Sequence, residues 1–103
     1  MKLKTALAVA ATLVVVSSAG AEGYQLEFGF AKRAIANETS AVCARVAGCT
    51  SWSVRPCKRQ SWHRVDCVSN YLFPERVLCR QVMIAVWPPW SDHLILHHKR
   101  VIC

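Results

Sequence analysis

The chain lacks most of the features that announce a function. It has no Cys-x-x-Cys pair, no internal repeat and no low-complexity stretch, and only 6 acidic side chains stand against 13 Lys and Arg. The missing Cys-x-x-Cys argues against a structural zinc site, because the cysteine spacings widen along the chain instead of clustering as metal ligands do. No converging nucleophile and base can be placed. Ser61, His63 and Asp66 lie along one expected strand, without the geometry a triad needs, so the chain is read as a non-enzyme with no cofactor. Its longest largely apolar run, Ala6 to Val16, covers 11 residues, well short of the ~20 that span a bilayer.

What precedes and follows that run gives it a meaning. Basic Met1-Lys2-Leu3-Lys4 stands before it, and the small residues Ala19-Gly20-Ala21 come after, with Glu22 next. That order is expected of a secretory signal peptide over residues 1–21, leaving 22–103 as a single secreted domain, extracellular or periplasmic. No cysteine follows the small residues, which argues against a lipid anchor. Removal of Lys2 and Lys4 would leave 11 basic against 6 acidic side chains, a net +5. Such a charge favours anionic surfaces without choosing among them.

All six cysteines, Cys43, Cys49, Cys57, Cys67, Cys79 and Cys103, fall in the part expected to be mature. An even count in a short exported chain reads as a disulfide framework, which a domain of this size needs because its core is small.

The lead-in Glu22 to Phe30 alternates apolar and polar residues and suits an extended segment. Ala31 to Ala47 is alanine-rich, and Ile35, Thr39, Val42, Cys43 and Val46 fall on one helical stripe, with Gly48 as the stop. Four strands are expected near Trp52–Lys58, Trp62–Phe73, Val77–Trp87 and His93–Ile102. Turns are expected at Arg59–Ser61, Pro74-Glu75 and Pro88 to Asp92. The fold class is therefore α+β, one helix packed on a four-stranded antiparallel meander and stapled by disulfides.

A second turn centred between Pro74 and Glu75 sets Cys67 opposite Val82 and Val65 opposite Ile84. The core face then holds Val65, Cys67, Val82, Ile84, Val86, Leu94 and Leu96, with Arg64, Asp66, Gln81 and Lys99 on a solvated face. A last turn centred on Ser91 sets Cys79 opposite Cys103, close enough for a disulfide. The other four cysteines stay open. Cys43–Cys49 with Cys57–Cys67 keeps the bridges local, whereas Cys43 and Cys67 both facing the core favours a bridge from helix to sheet.

Candidate contacts gather at hairpin tips. Arg55 to Arg64 sets four cations, His63 and Trp62 around the first, and Pro89 and Trp90 occupy the last. Arg59, Trp62, His63, Pro89 and Trp90 are the expected binding residues, since tips leave side chains free to protrude and Arg with Trp suits phosphate or aromatic contact. His97 and His98 fall on opposite faces of a strand, which argues against a metal site. Asn37-Glu38-Thr39 fits the N-glycosylation pattern.

The layout of a glycine-bearing lead-in, one helix and four strands, with Pro89-Trp90 in the last hairpin and Cys79–Cys103 straddling it, resembles the cystatin family. The resemblance implies a wedge that plugs a papain-like protease cleft, with Gly23, Gln60 to His63 and Pro89-Trp90 as its parts. Of the Gln-x-Val-x-Gly that cystatins carry at the first tip, Gln60-Ser61-Trp62-His63-Arg64 keeps the glutamine. Three functions are therefore expected of the sequence: a secreted binding module acting through its hairpin tips on an extracellular protein, a cystatin-like cysteine protease inhibitor, or a cationic protein that binds an anionic membrane or cell wall.

Overall fold

Glu27 opens the helix. Its carboxylate accepts a hydrogen bond from the Phe30 amide (3.0 Å), so α1 runs Phe28–Arg45 and begins three residues before the expected start. A glutamate at this position does the work usually given to a shorter acceptor such as Ser or Asp. At the other end Val46 turns extended and bonds back to the Val42 carbonyl, and Gly48 takes a φ of 90° that favours glycine. The computed structural model describes residues 25–103, with the two-residue strand pieces Leu7–Ala8 and Ala10–Ala11. Apart from those four positions, the expected signal peptide at 1–21 lies outside the described residues, as do Glu22, Gly23 and Tyr24.

The helix buries Ala31, Ile35, Thr39 and Cys43, a stripe at four-residue spacing, while Val46 at its end is exposed. That stripe packs on four antiparallel strands in the order β1-β2-β3-β4: Ser51–Ser61, Arg64–Phe73, Val77–Val86 and Ile95–His98. One helix on an antiparallel meander is the expected architecture. Strand β1 is an edge, and Pro56 sits where its pairing with β2 is interrupted between Val54 and Cys57. An edge bulge tolerates a residue with no N–H to donate.

Two corrections concern turns. The first hairpin turns at Trp62-His63 rather than Arg59–Ser61, because β1 stays paired as far as Ser61 opposite Arg64. The second is a single 3-10 turn over Pro74–Arg76, with Glu75 and Arg76 both in the left-handed region. Its centre is therefore Glu75, and Cys67 pairs with Met83, Val65 with Ala85.

This is a slip of one residue from the expected register, and a slip of one exchanges the faces of a strand. Cys79, Gln81, Met83 and Ala85 point at the helix, and the expected core residues Val82, Ile84 and Val86 point away, although Ile84 is still buried as expected (8% exposed) and Val82 and Val86 are half-buried. Gln81, expected in solvent, is buried; its amide accepts from the Tyr71 hydroxyl (2.7 Å) and donates to the Lys99 carbonyl (2.9 Å). Thr39 of α1 donates to the Ile35 carbonyl (2.7 Å) and shares a 2.6 Å hydrogen bond with Ser69 of β2. Strand β4 is shorter than expected, since after Lys99 the chain rejoins β3 only at the Arg80–Ile102 bridge.

Three disulfides close the framework: Cys43–Cys49, Cys57–Cys67 and Cys79–Cys103. The last is the pair placed by its equal distance from Ser91. The other two take the local scheme. Cys57 lies directly opposite Cys67 across β1 and β2, whereas Cys43 belongs with Tyr71 and Cys79 in a separate part of the core.

Candidate binding end of the sheet

Leu26 anchors the lead-in. Its side chain is fully buried in the main core, and its amide donates to the Trp62 carbonyl at 2.8 Å, so the segment before the helix lies across the first hairpin turn. Arg59 completes the clamp. Its guanidinium donates to the carbonyls of Ser61 (2.8 Å) and Trp62 (3.2 Å), and a further N–H bonds the Leu26 carbonyl. Five donors in a rigid planar fork suit one side chain to three carbonyls at once. Arg59, expected as a binding residue, is thus occupied within the protein.

The last loop joins the same end. The Trp87 amide donates to the His63 carbonyl (2.8 Å), the Trp87 indole N–H to the Ser91 carbonyl (2.9 Å), and the Trp87 ring lies 5.9 Å from that of Phe30 on the first turn of α1. Trp87 therefore connects the helix start, the first turn and the last loop. Ser91 folds that loop on itself through the Pro88 carbonyl and the His93 backbone. Pro88 is buried while Pro89 and Trp90 are exposed. Trp62 is 58% exposed and Trp90 86%.

Of the expected contacts, then, Trp62, His63, Pro89 and Trp90 come to one end of the sheet, together with Arg59, which holds that end in shape. His63 is half-buried, and its Nδ1 is enclosed with no hydrogen-bond partner in the protein. The expected cluster of cations does not form at the tip. Arg64 is held by both Asp66 oxygens (2.8 and 2.9 Å), which push its guanidinium further up, and Arg55 lies mid-strand beside the bulge. Trp52 stands at the far end of β1, 40% exposed.

Sequence reasoning missed Leu26, Phe30 and Trp87 as organisers of this end. The alternation around Tyr24-Gln25-Leu26-Glu27-Phe28 signalled an extended segment but not what it lies against.

The remaining chemistry does not converge. The Ser61 hydroxyl accepts from the His63 backbone amide (3.3 Å), and the Asp66 carboxylate is held by Arg64. His97 pairs with Ile84 on one face and His98 with Met83 on the other, where His98 Nε2 lies 3.4 Å from Glu38. Among the described residues no group of three or more His, Cys, Asp or Glu is placed to hold a metal. Nor is any described helix long and apolar enough to cross a membrane. A cavity of about 280 Å³ lies between the C-terminal half of α1 and the Cys79–Cys103 bridge, but its lining is wholly apolar and supplies no polar group to orient a ligand. Against this fold and this site, no protein-family model, no curated protein and no solved structure matches the chain.

Proposed function

We propose that the chain is a secreted, non-enzymatic binding module that engages an extracellular protein through the end of the sheet bearing Trp62, Pro89 and Trp90. The observation that carries this reading is convergence: three segments remote in sequence are bonded together there, and two indoles protrude from them. Large, rigid aromatic side chains supply contact area at low entropic cost and dominate binding energetics where they are buried by a partner. Arg59, Leu26 and Trp87 give the end its rigidity, and a preorganised surface loses less freedom on binding. Three disulfides and a signal-like leader support export to an oxidising space.

The test is cross-linking of the purified oxidised protein, carrying a photoreactive group at Gln60, to proteins of its own extracellular medium. Specific capture by the wild type, reduced about tenfold or more in Trp62→Ala/Trp90→Ala, is expected from loss of two aromatic anchors. Equal capture by both proteins would remove the tip from the binding surface.

The same convergence favours a second reading, inhibition of a papain-like cysteine protease, because the segment at Leu26, the first turn and the Pro89-Trp90 loop lie at one end, as the wedge implied by the cystatin resemblance requires; Gly23, the lead-in part of that wedge, is outside the described residues. Titration of such a protease decides it. Full activity at micromolar concentrations of the oxidised protein excludes inhibition of that protease.

A further inference from the structure

The side of the sheet away from the helix carries six aliphatic side chains on β2 and β3. Its rows, read across the strands, are Leu72 with Leu78, Asn70 with Arg80, Val68 with Val82, Asp66 with Ile84, and Arg64 with Val86. On β3, four of the five outward residues are therefore aliphatic, Leu78 exposed, Val82 and Val86 half-buried and Ile84 covered by its neighbours. Ile95 of β4 extends the last row beside Val86. An antiparallel sheet with one face in water normally alternates apolar and polar residues, whereas strands covered on both faces read as continuous apolar runs. Val82 to Trp87 is such a run. Leu78, Leu72 and Ile95 are 48%, 38% and 37% exposed, and at the end of the face far from Trp62 and Trp90 a hollow of about 200 Å³ lies between Trp52, Leu72 and Leu78.

We infer that this face docks on an anionic lipid surface. Charge selects the occupant. The outward cations are Lys58, Arg64 and Arg80, and the one outward acid, Asp66, is held by Arg64. Aliphatic side chains set among cations match a headgroup boundary, where apolar groups reach the acyl region and cations meet lipid phosphate. Strands β2 and β3 pair with each other along their full length, so the backbone between them brings no unmade hydrogen bonds to the lipid. A second copy of the chain fits less well. It would set the same cations against one another, and a face on the order of 500 Å² from strand spacings falls below the ~800 Å² per side of a stable protein interface.

The experiment measures co-sedimentation of the oxidised protein with vesicles of phosphatidylcholine alone and with about one-third phosphatidylglycerol. Partition onto the anionic vesicles is expected to be about tenfold stronger, and to weaken severalfold between about 0.05 and 0.5 M salt. Leu78→Asp, a change at an exposed position that spares the core, is expected to lower it by about tenfold or more. Trp90→Ala at the tip is expected to leave it within about twofold, which separates this surface from the proposed protein-binding end. Four results would overturn the inference: equal partition onto both vesicles, none onto either, undiminished partition of Leu78→Asp, or a dimer in sedimentation equilibrium that Leu78→Asp dissociates.

Discussion

Replacing Arg59 with methionine keeps the aliphatic stem and removes the guanidinium, so it isolates the clamp from packing. Three hydrogen bonds disappear, to the carbonyls of Ser61, Trp62 and Leu26. A hydrogen bond involving a charged group contributes about 1.5–3 kcal/mol, but an exposed carbonyl finds water once its partner leaves. The Ser61 and Trp62 bonds are exposed and the Leu26 bond is part-buried, so most of the loss falls on Leu26. The expected cost is about 2 kcal/mol. With a urea slope near 1 kcal/mol/M for a domain this small, the unfolding midpoint should fall by roughly 2 M. Arg59→Lys should recover only part of this, because a point charge cannot serve three carbonyls. Hydrogen exchange gives an independent readout at the Leu26 amide, bonded to the Trp62 carbonyl, which should lose protection in step. A midpoint within about 0.3 M of wild type, with that amide still protected, would refute the clamp and return Arg59 to the pool of free surface cations.

The disulfides should differ in worth by the loops they close. Separations of 24, 10 and 6 residues correspond to loop-closure contributions of about 3.5, 2.7 and 2.2 kcal/mol. Paired Cys→Ala variants compared by urea unfolding should therefore rank Cys79–Cys103 as the most costly loss and Cys43–Cys49 as the least; the reverse order contradicts the entropic account. Tyr71→Phe removes the donor to the buried Gln81 amide and should cost about 1–2 kcal/mol near neutral pH. Burial holds the Tyr71 phenol above its ordinary value, outweighing the Ser69 and Thr39 hydroxyls that pull it down. A raised folded value means that the contribution of the neutral phenol is complete below about pH 10 and is lost as pH climbs through the folded value. The stability gap between wild type and Tyr71→Phe should accordingly stay level through neutrality and narrow above about pH 10, and a widening gap contradicts it.

The helix and the strand count were legible because their signals are local. Ile35, Thr39 and Cys43 repeat at four residues whatever surrounds them, and Val, Ile and Trp recur between prolines and charged turns. Cys79–Cys103 was legible because both cysteines are equally far from Ser91. The first turn was misplaced by two to three residues, since nothing in Arg59-Gln60-Ser61 shows that β1 continues opposite Arg64. The role of Arg59 was hidden for a different reason. Its decisive partner, the Leu26 carbonyl, is 33 positions away, and a surface-type residue carries no mark of a distant backbone acceptor. The candidate end itself was half visible. Trp62 and Trp90 stood out as turn aromatics, whereas Trp87 read only as the last residue of a strand.

Register was the least legible feature, and the reason lies in β3. Val82, Met83, Ile84, Ala85 and Val86 are all apolar, so hydrophobicity accepts either face as the inner one. Polar side chains break the tie. In the register found, Tyr71 and Gln81 meet inside the domain, and Ser69 meets Thr39. Shifted by one, Gln81 would face outward and the buried Tyr71 hydroxyl would lose its acceptor, at about 1–3 kcal/mol for an unmade buried bond. The turn complies only by placing Glu75 and Arg76, neither of them glycine, in the left-handed region, which costs on the order of 1 kcal/mol each. The inner polar pairs must therefore outweigh the turn. Their choice of Met83 and Ala85 for the core sends Val82, Ile84 and Val86 outward, so the apolar outer face follows from the hydrogen bonds of the inner one.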